Sequence, residues 1–329
     1  MANKSKILLA LTGLLGLLIL VSLLLGRFPS PYWMPPARLW DDPLAWPLVL
    51  NLRLPRILAA LLLGATLAGG GAVMQMVFRN PLVESGLLGV SQGAAFGACA
   101  AILYLGNTPL LVQASAAFFA FLGLLLSLTL AHRLRFGGWI LRLVLAGLAV
   151  SAIFSAGLGL LKYTADPLRQ LPEITFWLLG GLWAVTWPDV ARLLPVLAPA
   201  LLVVWLMRWR VSLLSLSDET AFSLGVAVGR ERTILLAAVV TATAAVVAVA
   251  GTVGWIGLLV PHLARRLVGS DARKSIPASM LLGAVFALAC DDMARTLTAG
   301  EIPLGILTSL LGASLFMVLM IRQPGRPHP

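Results

Sequence analysis

The chain has 329 residues, of which 60% are hydrophobic and 11% charged, with a mean hydropathy of +0.96. These proportions exclude an ordinary soluble domain, and they make a lipid bilayer the solvent for most of the chain. The net charge of +11 comes from lysines and arginines standing between long apolar runs, with no nucleic-acid motif among them, which excludes nucleic acid as a partner and leaves membrane topology as the reason for the charge.

A spanning helix takes about 20 mostly apolar residues, so this length predicts an all-α polytopic membrane protein of about ten spans, one domain over residues 1–329. The first span is predicted at 7–26 behind Lys4 and Lys6. No small-residue cleavage site follows, since Gly26 leads into Arg27, Phe28 and Pro29, so the segment reads as a span and not as a signal peptide. Further spans are predicted at 54–76, 86–104, 109–131, 141–162, 189–207, 232–251, 253–268, 276–292 and 303–321. Cys99 and Cys290 fall inside apolar runs without the spacing of a zinc site or a disulfide framework, and both read as core residues.

Within the second span, Gly64, Ala68 and Ala72 stand at four-residue spacing among further glycines, a pattern that lets helix backbones approach closely and places this helix in the interior. The pattern serves tight packing and the lining of a path equally well. Pro195, Pro199, Gly251, Gly254 and Pro261 interrupt later spans, and their freed backbone groups predict stretches facing protein or a cavity. A Gly-rich span, a polar turn and another helix recur around Gly69–Gly93 and Gly251–Asp271, the form of an internal repeat, which four-span blocks would relate by inversion.

Ten spans put both termini on one side, and the excess of Lys and Arg decides which. Lys4, Lys6, Arg79, Arg133, Arg135, Arg142, Arg208, Arg210, Arg230, Arg232, Arg265, Arg266, Arg273, Lys274, Arg322 and Arg326 share one set of loops and ends, predicted cytoplasmic with both termini. The longest connection on that side runs from Arg208 to Arg232 and reads as holding a short helix. Ser217 is its cap, Asp218 and Glu219 suit its positive end, and Gly225 suits a left-handed position after its last turn. Ala221, Phe222 and Leu224 are then available either for a protein partner or for the membrane interface.

No Gly-rich phosphate loop occurs, and His132, His262 and His328 form no metal-binding pattern, so ATP hydrolysis and enzyme chemistry are not expected of this chain. An ion-coupled secondary transporter is the alternative class, and it would need a coupling-ion site for which the spans offer few acids. Asp291 and Asp292 near one span end and His262 near another are open to either orienting hydrogen bonds or transport chemistry.

Several motifs occur in a fixed order: Leu52-Arg-Leu-Pro-Arg56, Phe78-Arg-Asn-Pro-Leu82, Phe176-Trp-Leu-Leu-Gly-Gly181, Leu224-Gly-Val, Gly257-Leu-Leu-Val-Pro-His262 and Glu301-Ile-Pro-Leu-Gly. With them the chain resembles the permease subunits of type II ABC importers for iron-siderophore complexes, haem and cobalamin, the FecCD family. The resemblance implies a homodimer of ten-helix subunits in a bacterial or archaeal cytoplasmic membrane, with two ATPase subunits that bind ATP and Mg, and a periplasmic or lipid-anchored substrate-binding protein. This chain itself would bind no cofactor. The resemblance also assigns roles: Ser217, Asp218, Glu219, Thr220, Ala221, Phe222, Ser223, Leu224 and Gly225 to the ATPase-coupling helix, in a loop of about 209–231, and Arg53, Arg56 and Arg295 to docking of the binding protein. Asn80, Pro81 and Leu82 match a cytoplasmic gate, although Asn80 could equally cap a following helix. A second gate carries small hydroxyl residues in the family, where this chain has Trp139, Ile140 and Leu141.

Overall fold

The structure, a computed structural model, describes residues 2–27, 32–298 and 300–321. Phe28, Pro29, Arg322, Arg326 and His328 lie outside the described residues. Helix α1 (Ala2–Leu24) is followed by short turns α2 (Arg38–Asp41) and α3 (Ala45–Leu48), a π-helical turn at Val49–Arg53, and α4 (Leu54–Val77). Then come α5 (Val90–Ala100), which ends in a π-helical turn at Ala101–Leu105, α6 (Pro109–Arg133), α7 (Trp139–Thr164), α8 (Gln170–Leu179) and α9 (Trp187–Leu214). The chain closes with α10 (Asp218–Ser223), α11 (Val228–Ala250), α12 (Ile256–Val268), α13 (Ala272–Thr296) and α14 (Leu304–Ile321). An isolated antiparallel bridge joins Leu25 to Trp33.

Eight of these helices are long and apolar enough to cross a bilayer. The third and eighth predicted spans, 86–104 and 253–268, are the two shortest, an apolar stretch over Val90–Leu105 and the 13-residue α12. Both begin late for one reason, because the preceding residue is left-handed: Gly89 at φ +79° and Trp255 at φ +70°. Glycine takes that conformation freely, whereas Trp255 is held there by its ring, packed 6.1 Å from Phe316 and over the bare Cα of Gly312. The two halves thus share the order long, short, long, long, in α4 to α7 and α11 to α14.

Helix α4 is the central rod: 78% of its apolar window is buried, against 11% for α1. Its small residues are there for backbone contact. A Cβ on Gly64 would lie 2.1 Å from the Gly283 carbonyl oxygen of α13, and one on Gly71 would lie 2.0 Å from that of Gly257 in α12. Pro261 supplies no N–H to the Gly257 carbonyl, and the Gln75 side chain of α4 donates to that oxygen at 3.3 Å and to Leu258 O at 3.1 Å. Arg265 then donates to Gln75 Oε1 at 2.6 Å, closing the joint between α4 and α12.

Pro195 and Pro199 behave otherwise. They sit on the exposed side of an unbroken α9 and face neither protein nor cavity within this chain, correcting the expectation for them. Gly251 does end a span, at φ +68° after α11. There the Phe176–Gly181 motif explains itself: Gly181 N–H donates to Ala250 O at 2.8 Å, and Leu304 N–H donates to Gly180 O at 2.9 Å. A Cβ on Gly251 would lie 2.2 Å from Trp177 O, so α8, unforeseen as a helix, is seated backbone to backbone on the end of α11. Cys99 and Cys290 are both buried and free.

Candidate functional site

Two clusters of charge mark the two ends of α4, which at 1.5 Å per residue lie about 36 Å apart. At its C-terminal end stands α10. The connection carrying it is shorter than 209–231, because α9 continues through Leu214 and α11 starts at Val228. Arg208 and Arg210 belong to α9, their guanidiniums over Trp205 and Trp209 at 4.2 and 5.2 Å. Ser217 caps α10 as expected, accepting from Thr220 N–H at 3.2 Å, and Gly225 follows it at φ +79°. Glu219, Thr220, Ser223 and Gly225 are exposed. Phe222 and Leu224 are 76% and 55% exposed, but Ala221 is fully buried and is unavailable to any partner, a correction that follows from α10 packing on α9 and α11.

Asp218 holds α10 in place. Its carboxylate takes Arg232 of α11 as a fork, NH2 to Oδ1 at 2.9 Å and NH1 to Oδ2 at 3.3 Å, and also pairs with Arg79. Arg232 is 3% exposed and lies 4.9 Å from the Trp139 ring at the start of α7, whose own ring is 6.3 Å from Phe78. The Arg232 hydrogen bonds, opposed by desolvation and reinforced by Arg79, hold the Asp218 carboxyl below the usual carboxylate range. A depressed carboxylate stabilises the fold above its unfolded pKa of about 3.9 and loses that contribution as pH falls through the lower folded value. Exchange protection of α10 amides is therefore expected to stay constant from pH 8 down to about 5 and to fall only below about pH 4, measured by hydrogen exchange.

The turn after α4 is tight. Arg79 is left-handed at φ +52°, Asn80 N–H donates to Gln75 O at 3.1 Å, and Asn80 Oδ1 accepts from Leu82 N–H at 2.9 Å. Asn80 thus closes a turn around Pro81 and caps no helix, since none begins before Val90. Asn80, Pro81 and Leu82 are exposed, and Ile140 and Leu141 lie in the first turn of α7, Ile140 half-buried and Leu141 exposed. The structure joins this turn to the start of α7 through Phe78, Trp139, Arg232 and Asp218.

At the other end of α4, Arg56 donates to both oxygens of the fully buried Asp291 at 3.0 Å and to Glu301 at 2.8 Å. Arg295 pairs with Asp292 and donates to Ser22 O at 2.6 Å and Leu25 O at 2.8 Å. Ser22 donates to Asp292 at 2.7 Å, and Arg53 donates to Leu23 O at 2.6 Å. The three arginines tie α1, α4 and α13 together, with Asp291 orienting Arg56 and Asp292 orienting Arg295. His262 is half-buried on α12, its Nε2 without a hydrogen bond.

A family model described as the FecCD transport family matches residues 14–322. The chain belongs to the FecCD transport family. It is 38% identical over 327 residues, 96% of each chain, to the molybdate import system permease protein MolB of Haemophilus influenzae. It is 41% identical over 286 residues, 84% of each chain, to the hemin transport system permease protein HmuU of Yersinia pestis. Among solved structures it superposes on a metal-chelate type ABC transporter in an inward-facing conformation with a TM-score of 0.88 at 37% identity, covering 97% of this chain and 99% of that one.

This FecCD chain is accordingly a multi-pass membrane permease. Sequence reasoning passed over Arg79, Arg232, Glu301 and Ser22 as partners. Arg79 and Glu301 stand inside quoted motifs, but nothing in spacing signals a pair 139 residues apart, as between Arg79 and Asp218, or 245 apart, as between Arg56 and Glu301.

Proposed function

We propose that this FecCD permease imports a metal chelate such as an iron-siderophore complex, haem or cobalamin by alternating access, as a homodimer driven by two separate ATPase subunits that bind ATP and Mg. The membrane is the cytoplasmic membrane of a bacterium or archaeon, with both termini and α10 in the cytoplasm. One observation carries the reading: α10 is a capped helix outside the spans, with Phe222 and Leu224 exposed and Asp218 anchored to α11 and to the turn after α4. A helix presenting an aromatic anchor on a fixed base suits a groove in a protein partner. An ion-coupled carrier gives such a helix no task.

The substrate-binding protein docks at the far end of α4. There Arg53, Arg56 and Arg295 hold the platform, with Glu301, whose side chain is 39% exposed, at its edge. Such edge charges set docking rate and register more than affinity. Asn80 to Leu82 and the Ile140–Leu141 turn form the cytoplasmic constrictions. Cargo is chosen with the binding protein, a reading supported by FecCD relatives of similar identity being named for molybdate and for hemin.

The test is co-expression with the cognate ATPase and binding protein, reconstitution into liposomes, and uptake assays with haemin, a ferric siderophore, cobalamin and molybdate. Uptake of haemin, the ferric siderophore or cobalamin that requires ATP and the binding protein is expected, and uptake of molybdate alone would place the cargo outside the chelates. Uptake driven by an ion gradient without ATP would contradict it.

A further inference from the structure

We propose that Asp218 is a positioning residue of the transport cycle: it is the joint through which displacement of α10 reaches both the turn after α4 and the start of α7. The inference rests on the importer reading above and adds to it the residues that transmit the movement. Three observations meet at this carboxylate. Two guanidiniums from different spans converge on it, Arg79 just past α4 and Arg232 in α11. Arg232 also lies 4.9 Å from the Trp139 ring, which begins the helix turn holding Ile140 and Leu141. Phe78, packed 6.3 Å from that same ring, immediately precedes Arg79.

The two arms differ in stiffness. Arg232 is 3% exposed, so water cannot replace Asp218 if the fork opens, and a buried guanidinium left unpaired is costly. That arm must move with α10, taking α11 and Trp139 along. The side chain of Arg79 is 35% exposed and that of Asp218 52%, so this second arm exchanges its partner for water at little cost. Arg79 also stands at φ +52° as the left-handed residue that ends α4, its shape kept by Asn80 N–H on Gln75 O at 3.1 Å, so losing Asp218 frees the side chain without unmaking the turn. Moving α10 away therefore keeps the Arg232 arm and frees the Arg79 arm. The turn carrying Asn80, Pro81 and Leu82 is then released from α10 while α7 is drawn with α11.

The test uses the permease assembled with its ATPase in nanodiscs, spin-labelled at Leu82→Cys and Leu141→Cys. Both positions are exposed, and native Cys99 and Cys290 are buried. Distance distributions are recorded without nucleotide and after trapping with ATP, Mg and vanadate, in the parent and in Asp218→Asn, Arg79→Gln and Asp218→Glu. The parent distances are expected to shift on trapping. Asp218→Asn should lose that shift in complexes that still carry the ATPase. Arg79→Gln should already show part of the shift without nucleotide, and Asp218→Glu, which keeps the charge, should restore it. A full shift in Asp218→Asn overturns the joint alone, as does loss of ATPase copurification, which would make Asp218 a docking contact. Parent distances that ignore nucleotide overturn both the joint and the importer reading.

Discussion

Asp291→Ala is expected to destabilise the folded permease by about 3 kcal/mol, the low end of the cost of breaking a buried ion pair. Asp291 is fully buried and accepts from Arg56 through both oxygens at 3.0 Å, so its removal leaves a guanidinium facing an empty site where water and lipid supply no acceptor. Glu301 still receives one Arg56 nitrogen at 2.8 Å, which keeps the loss from being larger. The companion variant Arg56→Met with Asp291→Ala removes both charges and should recover most of the stability, because a buried pair contributes little net once its desolvation is counted. Thermal unfolding in detergent, followed by tryptophan fluorescence, checks both. The double variant also separates the two roles of Arg56. A folded double variant that no longer binds the substrate-binding protein assigns Arg56 to docking, and one that binds as the parent does confines Arg56 to holding α4 against α13.

The spans were legible because an apolar run of sufficient length has few alternatives in a bilayer, and the ends of α4, α6 and α7 fall close to their predicted limits. The differences from the predicted limits have separate physical causes. α5 and α12 start late because a left-handed residue, Gly89 or Trp255, bars the helix from beginning earlier, and hydropathy does not register φ. α9 overruns its predicted end because Arg208 and Arg210 lie over Trp205 and Trp209 within the helix instead of ending it. Pro195 and Pro199 leave α9 unbroken on an exposed face, where the helix loses hydrogen bonds without losing packing. In the site, the local features were readable: the Ser217 cap and the left-handed Gly225 depend on neighbours a few residues away. The Asp218 and Arg56 clusters were not, because their members meet only after α4, α11 and α13 have packed, and the burial of Ala221 follows from that same packing.

Phe222→Ala is expected to weaken ATP-dependent uptake strongly while leaving the fold unchanged. Its side chain is 76% exposed and stands on a helix fixed from below by Asp218 and the buried Ala221, so truncation removes little from the permease itself. For a partner, the same ring is an aromatic anchor on a rigid base, and removing such an anchor costs about 2 kcal/mol or more. That corresponds to an ATPase affinity weakened by more than about tenfold, since each 1.4 kcal/mol is a factor of ten. Leu224, 55% exposed beside it, should show a smaller loss as part of the rim. The decisive measurement is the dissociation constant of the cognate ATPase for the permease in nanodiscs, parent against Phe222→Ala. A loss of at least about tenfold with an unchanged unfolding temperature is expected, whereas equal affinity would mean that α10 is not where the driving force enters this membrane protein.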